Sequence, residues 1–65
     1  MKRYAAISKD VSKYMVSVIH IDAEGVYSHT EIIQRNISKP KAQTVAERYN
    51  INLKKHNLLH ESSNI

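Results

Sequence analysis

The pattern of apolar and polar residues predicts a β-hairpin that leads into one amphipathic helix. Two runs rich in Val, Ile, Thr and Tyr, Tyr14–Ile21 and Val26–Ile33, flank the turn Asp22–Gly25. Such runs are typical of strands, and the single glycine of the chain suits the left-handed position that closes a three-residue hairpin loop. A weaker run, Arg3–Ile7, indicates a short first strand. We therefore predict an α+β fold: an antiparallel hairpin, or a three-stranded meander, with one helix packed on one face.

The segment after the hairpin has apolar residues at the spacing of an amphipathic helix. Apolar residues recur there as one stripe: Ala42, Val45, Ala46, Tyr49 and Leu53. Ser38 can cap free backbone N–H groups, and Pro40 suits the first turn, where its missing N–H costs nothing. The helix is expected to begin at Ser38 or Lys39 and to end between Asn50 and His56.

The three-residue loop also predicts a register between the two strands. Four pairs should lie opposite each other: Ile21 with Tyr27, Ile19 with His29, Ser17 with Glu31, and Met15 with Ile33. The face predicted to pack on the helix carries Met15, Ile19, Ile21, Tyr27 and Ile33. The face predicted to be open carries Tyr14, Val16, Val18, His20, Val26, Ser28, Thr30 and Ile32.

The predicted open face is more apolar than a fully solvated face would be. We interpret it as a protein contact or a self-association surface, with the following interface residues: Tyr14, Val16, Val18, Thr30 and Ile32. Alternatively, the Arg3–Ile7 segment or the Leu58-Leu59 pair folds back and covers it.

Length and composition predict one small domain. The 65 residues include no cysteine, Phe or Trp, so the core is small and has no disulfide. Such domains often gain stability by oligomerising, which favours a homodimer. We divide the chain into a basic segment 1–13, a core 14–57 and a flexible tail 58–65. No segment has the length of a membrane span and the N-terminus is too polar for a secretory signal, so we expect a cytoplasmic protein.

The net charge of +4 is unevenly distributed. The hairpin is acidic, because Arg35 is opposed by Asp22, Glu24 and Glu31, whereas the N-terminal segment and the helix region are basic. Lysines at the start of a helix can hold a phosphate together with its free N–H groups. The residues predicted to bind nucleic acid or another anion are Lys2, Arg3, Ser38, Lys39, Lys41 and Arg48.

Two resemblances, one over about a dozen residues and one over most of the chain as a pattern of elements, agree with an interaction with nucleic acid. Ser38-Lys-Pro-Lys-Ala42, followed by Val45-Ala46, resembles the opening of the last helix in double-stranded-RNA-binding domains, where lysines hold phosphates. A short strand, a hairpin and a helix that contains Ala46-Glu-Arg-Tyr49 are similar to the AP2 and integrase arm-type DNA-binding domains. Those domains read the major groove with the sheet, whereas the hairpin here is net acidic.

Catalytic patterns are missing from the sequence. It has no Cys nucleophile and no glycine-rich phosphate loop, so we expect neither an enzyme nor a cofactor. His56 and His60 have the spacing of metal ligands on a helix, but Asn57 stands where a metalloprotease has Glu, and no metal is predicted. His20 and His29 fall on opposite faces in the register above, and would be cross-strand neighbours with a two-residue loop.

We therefore predict a small binding protein without enzymatic activity. The first expectation is a nucleic-acid-associated accessory or regulatory factor that contacts phosphates through basic residues. The alternative is a protein-binding inhibitor or modulator that acts through the open hairpin face.

Overall fold

The chain folds into three antiparallel strands followed by one helix. A computed structural model describes residues 2–60, with β1 at Lys2–Asp10, β2 at Lys13–Ile21, β3 at Tyr27–Ile37 and α1 at Lys39–Lys55. The strand order in the sheet is β1-β2-β3. The predicted α+β class is confirmed in its three-stranded form, and the first strand is longer than the Arg3–Ile7 segment that indicated it.

The turn between β1 and β2 is short. Asp10 pairs with Lys13, so Val11 and Ser12 alone connect the two strands. Val11 has a φ of 58° and is 92% exposed. A β-branched residue is disfavoured in this left-handed conformation, so the turn holds local strain at a solvated tip.

The loop between β2 and β3 has the predicted three residues. The Asp22 N–H donates to the Val26 carbonyl at 2.9 Å, and Gly25 has a φ of 83°. The Asp22 carboxylate also accepts from the backbone N–H groups of Glu24 and Val26, both at 2.9 Å. The predicted pair of Ile21 and Tyr27 is confirmed.

Beyond that pair the predicted register is wrong. The structure pairs His20 with His29, Ile19 with Thr30, Ser17 with Ile32 and Val16 with Gln34. The pairing is shifted at three places along β2, and at each place β3 contributes one residue more than its partner. These irregularities are β-bulges, which interrupt strict alternation and bend the strand. The expected pairs of Ile19 with His29, Ser17 with Glu31 and Met15 with Ile33 do not form.

The helix covers the face of the sheet that was predicted to be open. Val16 and Val18 are fully buried. The core cluster contains Ala5, Val16, Ala42 and Ala46, with Tyr14, Ile33, Ile37, Val45 and Tyr49 packed against it. The small alanine side chains of the helix allow it to lie close to the two valines, each of which gains about 1.5–3 kcal/mol from burial. The predicted face assignment is therefore wrong for β2, although Ile33 does pack against the core.

The predicted helix is confirmed. It begins at Lys39, with the Ser38 side chain accepting from the Lys41 N–H at 3.4 Å, and it ends at Lys55. Ala42, Ala46 and Leu53 are buried, as the apolar stripe predicted. No helix within residues 2–60 is both long and apolar enough to cross a membrane.

Two groups of contacts cover the first half of the free edge of β1. The Ala5 N–H donates to the Asn50 side-chain oxygen at 2.7 Å, and the Asn50 side-chain nitrogen donates to the Ala5 carbonyl at 3.3 Å. Two residues earlier on β1, the Arg3 N–H donates to the Leu58 carbonyl and the His60 N–H donates to the Arg3 carbonyl, both at 2.9 Å. The first residues of the predicted tail 58–65 are thus hydrogen-bonded to β1, while 61–65 lie outside the described residues.

Candidate anion-binding surface

The start of the helix presents the predicted anion-binding residues in a different arrangement from the expected cradle. Ser38 serves as the N-cap through its contact with the Lys41 N–H. Lys39 and Lys41 are both exposed. Positions two apart on a helix differ in direction by about 200°, so the two ammonium groups leave on different sides of the helix. The first turn therefore does not bring both lysines to one point.

A longer cationic arrangement lies along the solvent side of the helix. Lys41, Arg48 and Lys55 are spaced seven residues apart, and all three are exposed. Seven residues complete two turns with a drift of only about 20°, so these side chains follow one line along the helix. A rise of 1.5 Å per residue puts successive cations about 10.5 Å apart. We call these three residues the cationic stripe.

No acidic side chain within residues 2–60 compensates the charge of the cationic stripe. Thr44, Ile51 and Asn52 are its exposed neighbours, and none of them is ionisable. Glu47 is the one acidic residue of the helix, and it lies about 100° around the helix from Arg48. Within the described part of the chain, the ion pairs involve only His20 with Glu31 and Arg35 with Asp10. All three charges of the stripe are thus available to a partner.

Lys2 and Arg3 do not extend the cationic stripe. They lie beside the C-terminal end of the helix, because Arg3 is hydrogen-bonded to the segment that follows it. Arg3 pairs with His20 in the sheet and is half-buried, and its Nε is buried without a hydrogen bond. The six predicted anion-binding residues are therefore split between the two ends of the helix, with Arg48 between them. Lys55 was missed, although its distance of seven residues from Arg48 was visible in the sequence.

An open pocket of about 390 Å³ lies where the β2–β3 loop meets the end of the helix. Its lining includes Lys2, Lys54 and His60, together with Asn57 and Leu59. This is a second basic region, separate from the cationic stripe because Lys54 lies about 100° around the helix from Lys55. Asp22 also lines this pocket and reduces its positive charge.

The structure pairs His20 with His29, as the alternative register predicted, and separates His56 from His60. The bulge near Ser28 makes His20 and His29 cross-strand neighbours, with their rings stacked at 4.2 Å between centroids and 11° between planes. His20 Nε2 lies 3.4 Å from Glu31 Oε1, close enough for an ion pair but without the geometry of a hydrogen bond. His56 is the C-cap of the helix, whereas His60 bonds to β1, so these two do not share a helical face. No group of three or more metal-ligating side chains among residues 2–60 could hold a metal ion.

The predicted protein interface is divided between the two faces of the sheet. Val16 and Val18 lie under the helix with Tyr14 packed against the same core. Thr30 and Ile32 are exposed on the opposite face, since they pair with Ile19 and Ser17. The predicted set therefore cannot act as one surface, because buried valines are not accessible to a partner.

Asp10 fixes the irregular end of β3. Its carboxylate accepts from the Arg35 guanidinium at 3.3 Å and from the Asn36 N–H at 3.0 Å. Asn36 has a φ of 58°, the left-handed conformation that asparagine tolerates better than most residues. The hydrogen bond from Arg35, followed by that from the Asn36 backbone, holds the pKa of Asp10 below its usual value.

Comparison of the chain with protein-family models, with curated proteins and with solved structures found no match. The functional interpretation therefore rests on the surfaces described above.

Proposed function

We propose that this protein is a small nucleic-acid-associated factor that contacts the phosphate backbone of a duplex through the cationic stripe. The observation that supports the proposal is the line of three exposed cations, Lys41, Arg48 and Lys55, on the side of the helix away from the core, none of which forms an ion pair with another residue of 2–60. An α-helix fits the major groove of a DNA duplex, which is about 12 Å wide. The proposal retains the cytoplasmic location expected from the sequence.

The chemistry of the stripe favours phosphate contact over base reading. Lysine and arginine bind phosphate oxygens, whereas the Thr44 hydroxyl already donates to the Pro40 carbonyl at 3.1 Å. Asn52 is the one exposed neighbour of the stripe with a side-chain amide, and Ile51 is its one exposed apolar neighbour. Contacts of this kind position a protein on a duplex without sequence preference, so we expect similar affinity for unrelated sequences.

The test is the salt dependence of duplex binding, measured by fluorescence anisotropy with a labelled 16-base-pair DNA and an RNA duplex of the same length. Each neutralised phosphate contributes about −0.9 to the slope of log K against log salt, so three contacts should weaken binding about 40-fold between 50 and 200 mM salt. Lys41→Ala, Arg48→Ala and Lys55→Ala together should remove most of this dependence.

A matched control changes exposed lysines that are not on the stripe. The triple variant Lys9→Ala, Lys13→Ala and Lys39→Ala removes the same formal charge. Lys9 is on β1, Lys13 is on β2, and Lys39 is on the opposite side of the helix from Lys41. If this control weakens binding as much as the stripe variant does, net charge rather than the stripe is responsible. If the unmodified protein binds neither duplex at 50 mM salt, the proposal is wrong.

The alternative role, an inhibitor or modulator of another protein, requires a different surface. Of the interface residues predicted for it, only Thr30 and Ile32 remain on an uncovered face. The absence of duplex binding would leave this alternative as the next one to test.

A further inference from the structure

The face of the sheet opposite the helix is apolar and uncovered within the part of the chain that the structure describes. We call it the outer face and define it by eight residues on that side of the sheet, of which Ser17 is buried and the three of β3 are exposed: Tyr4, Ala6, Met15, Ser17, Ile19, Tyr27, Thr30 and Ile32. Ile32 is 50% exposed and Tyr27 is 60% exposed. Among residues 2–60 the helix packs on the other side, and His60 reaches the outer face only through Tyr4, at 5.8 Å between ring centroids.

We propose that a second copy of this chain packs its own outer face against this one, forming a homodimer with two stacked sheets. Sheets stack at about 10 Å with their apolar side chains interdigitated. A two-fold axis brings the same surface of each copy into contact. The arrangement would be four layers: helix, sheet, sheet and helix.

The distribution of charge favours an identical partner. The eight residues of the outer face include no ionisable acid or base except the two tyrosines, and the charged residues nearest to it, Lys2, Lys13 and the Asp10–Arg35 pair, lie at the strand ends. Because the whole chain has a net charge of +4, two copies repel each other overall. The outer face is where they can meet without bringing like charges together. The centre of the outer face has no cation that could bind a nucleic acid.

The edges of the sheet do not offer a comparable contact. The β1 edge is occupied at Ala5 by Asn50 and at Arg3 by the segment that follows the helix, so only the short stretch of residues 7–10 is open. The β3 edge has three register irregularities, which disrupt the regular ladder that a neighbouring strand would need. Association through the face of the sheet is therefore favoured over addition of a strand.

The size of the outer face indicates a dimer that dissociates on dilution. Nine-residue strands at about 3.3 Å per residue, with three strands about 4.8 Å apart, give a footprint of about 430 Å². A standard protein interface buries about 800 Å² on each partner. Protruding side chains add area to the flat footprint, but they make up only part of the difference. The dimer should thus form over a measurable concentration range.

The test compares two isoleucines of nearly equal exposure on opposite sides of the molecule. Ile32 on the outer face is 50% exposed and Ile51 on the helix is 57% exposed, so neither substitution should unfold the domain. By sedimentation velocity without nucleic acid, the mass of the unmodified protein should rise with concentration from 7.5 kDa towards twice that value. Ile32→Glu should abolish the rise, whereas Ile51→Glu should retain it, and circular dichroism should show unchanged helix content in both.

Three results would overturn the proposal. The first is a mass of 7.5 kDa at every concentration up to the solubility limit. The second is equal loss of association in Ile32→Glu and Ile51→Glu, which would place the contact elsewhere. The third is an intramolecular nuclear Overhauser effect from the Ile65 methyl groups to Ile32, which would identify the chain's own end as the cover. Intermolecular effects between Met15 and Ile19 in a mixed-label sample would support the stacked sheets directly.

The dimer would carry its two cationic stripes on opposite outer sides, facing away from each other. It would therefore bridge two duplexes rather than clamp one. This consequence rests on the proposed function, but the dimer itself does not, because its mass is measured without nucleic acid and can fail independently of duplex binding.

Discussion

Replacing Asn50 with alanine tests how the helix is attached to the edge of the sheet. The Asn50 side chain makes two hydrogen bonds to the backbone of Ala5, at 2.7 and 3.3 Å, and Ala5 is only 7% exposed. Each bond contributes about 0.5–1.5 kcal/mol net, and a donor or acceptor that stays buried without a partner costs more. The higher helix propensity of alanine offsets this loss by about 0.5 kcal/mol in the free energy of unfolding. The net loss should be about 2 kcal/mol.

A loss of this size is large for a chain of 65 residues. Domains have about 0.05–0.15 kcal/mol of stability per residue, which gives about 3–10 kcal/mol in total. In small domains 1 kcal/mol shifts the melting temperature by about 4–8 °C, so Asn50→Ala should lower it by about 10 °C. Thermal unfolding followed by circular dichroism measures the shift, and hydrogen exchange should show faster exchange of the Ala5 amide.

Asn52→Ala is the matched control. Asn52 is on the same helix and is exposed, and its side chain makes no hydrogen bond to any other described residue. It gains the same helix propensity and loses no contact, so its melting temperature should stay the same or rise slightly. Equal stability of the two variants would refute the role assigned to the Asn50 side chain.

Two further predictions concern the ends of the strands. The lowered pKa of Asp10 means that its contribution to stability is present above the unfolded-state value of about 3.8 and is lost as the pH falls through the lower folded-state value. Asp10→Asn should therefore lose less stability than the unmodified protein between about pH 5 and pH 2 in urea unfolding, and an equal loss would contradict the ion pair with Arg35. Val11→Asn should raise the free energy of unfolding by about 1 kcal/mol, because asparagine tolerates the left-handed conformation and valine does not. Ser12→Asn, at a position without a positive φ, should give no such gain.

The sequence contained enough information to predict the elements of this fold. Gly25 and the adjacent turn residues identified the β2–β3 loop, and its hydrogen bonds are those of the predicted connection. Ser38 and Pro40 identified the start of the helix, because capping and proline placement are local effects. These features depend on neighbouring residues alone, and they were predicted correctly.

The packing of the elements could not be predicted in the same way. Both faces of β2 are apolar, so the choice of face depended on which side could accept Ala42 and Ala46 next to Ala5 and Val16. The bulges of β3 are equally invisible to a pattern that assumes strict alternation, and one of them brought His29 opposite His20. Both errors concern contacts between distant residues.

The candidate site was predicted in part. Lys41 and Arg48 were among the predicted anion-binding residues, but Lys55 was not, because the prediction was centred on the first turn of the helix. Lys2 and Arg3 were grouped with the helix start, whereas the antiparallel path of β1 carries them to the other end. Charge can be counted from a sequence, but the grouping of charges into a surface requires the fold.

The hydrogen bonds between Arg3 and the segment Leu58–His60 also determine where the two ends of the described chain leave the domain. They lie close together at one corner, because Arg3 and Leu59 are partners in a parallel bridge about one strand spacing apart. A short linker could therefore join them, and the domain could be inserted into a surface loop of a host protein without stretching either connection. In a circular permutant, a linker joins the old ends and new ends are made elsewhere. The exposed Val11–Ser12 turn at the far end of β1 is a suitable place for the new ends.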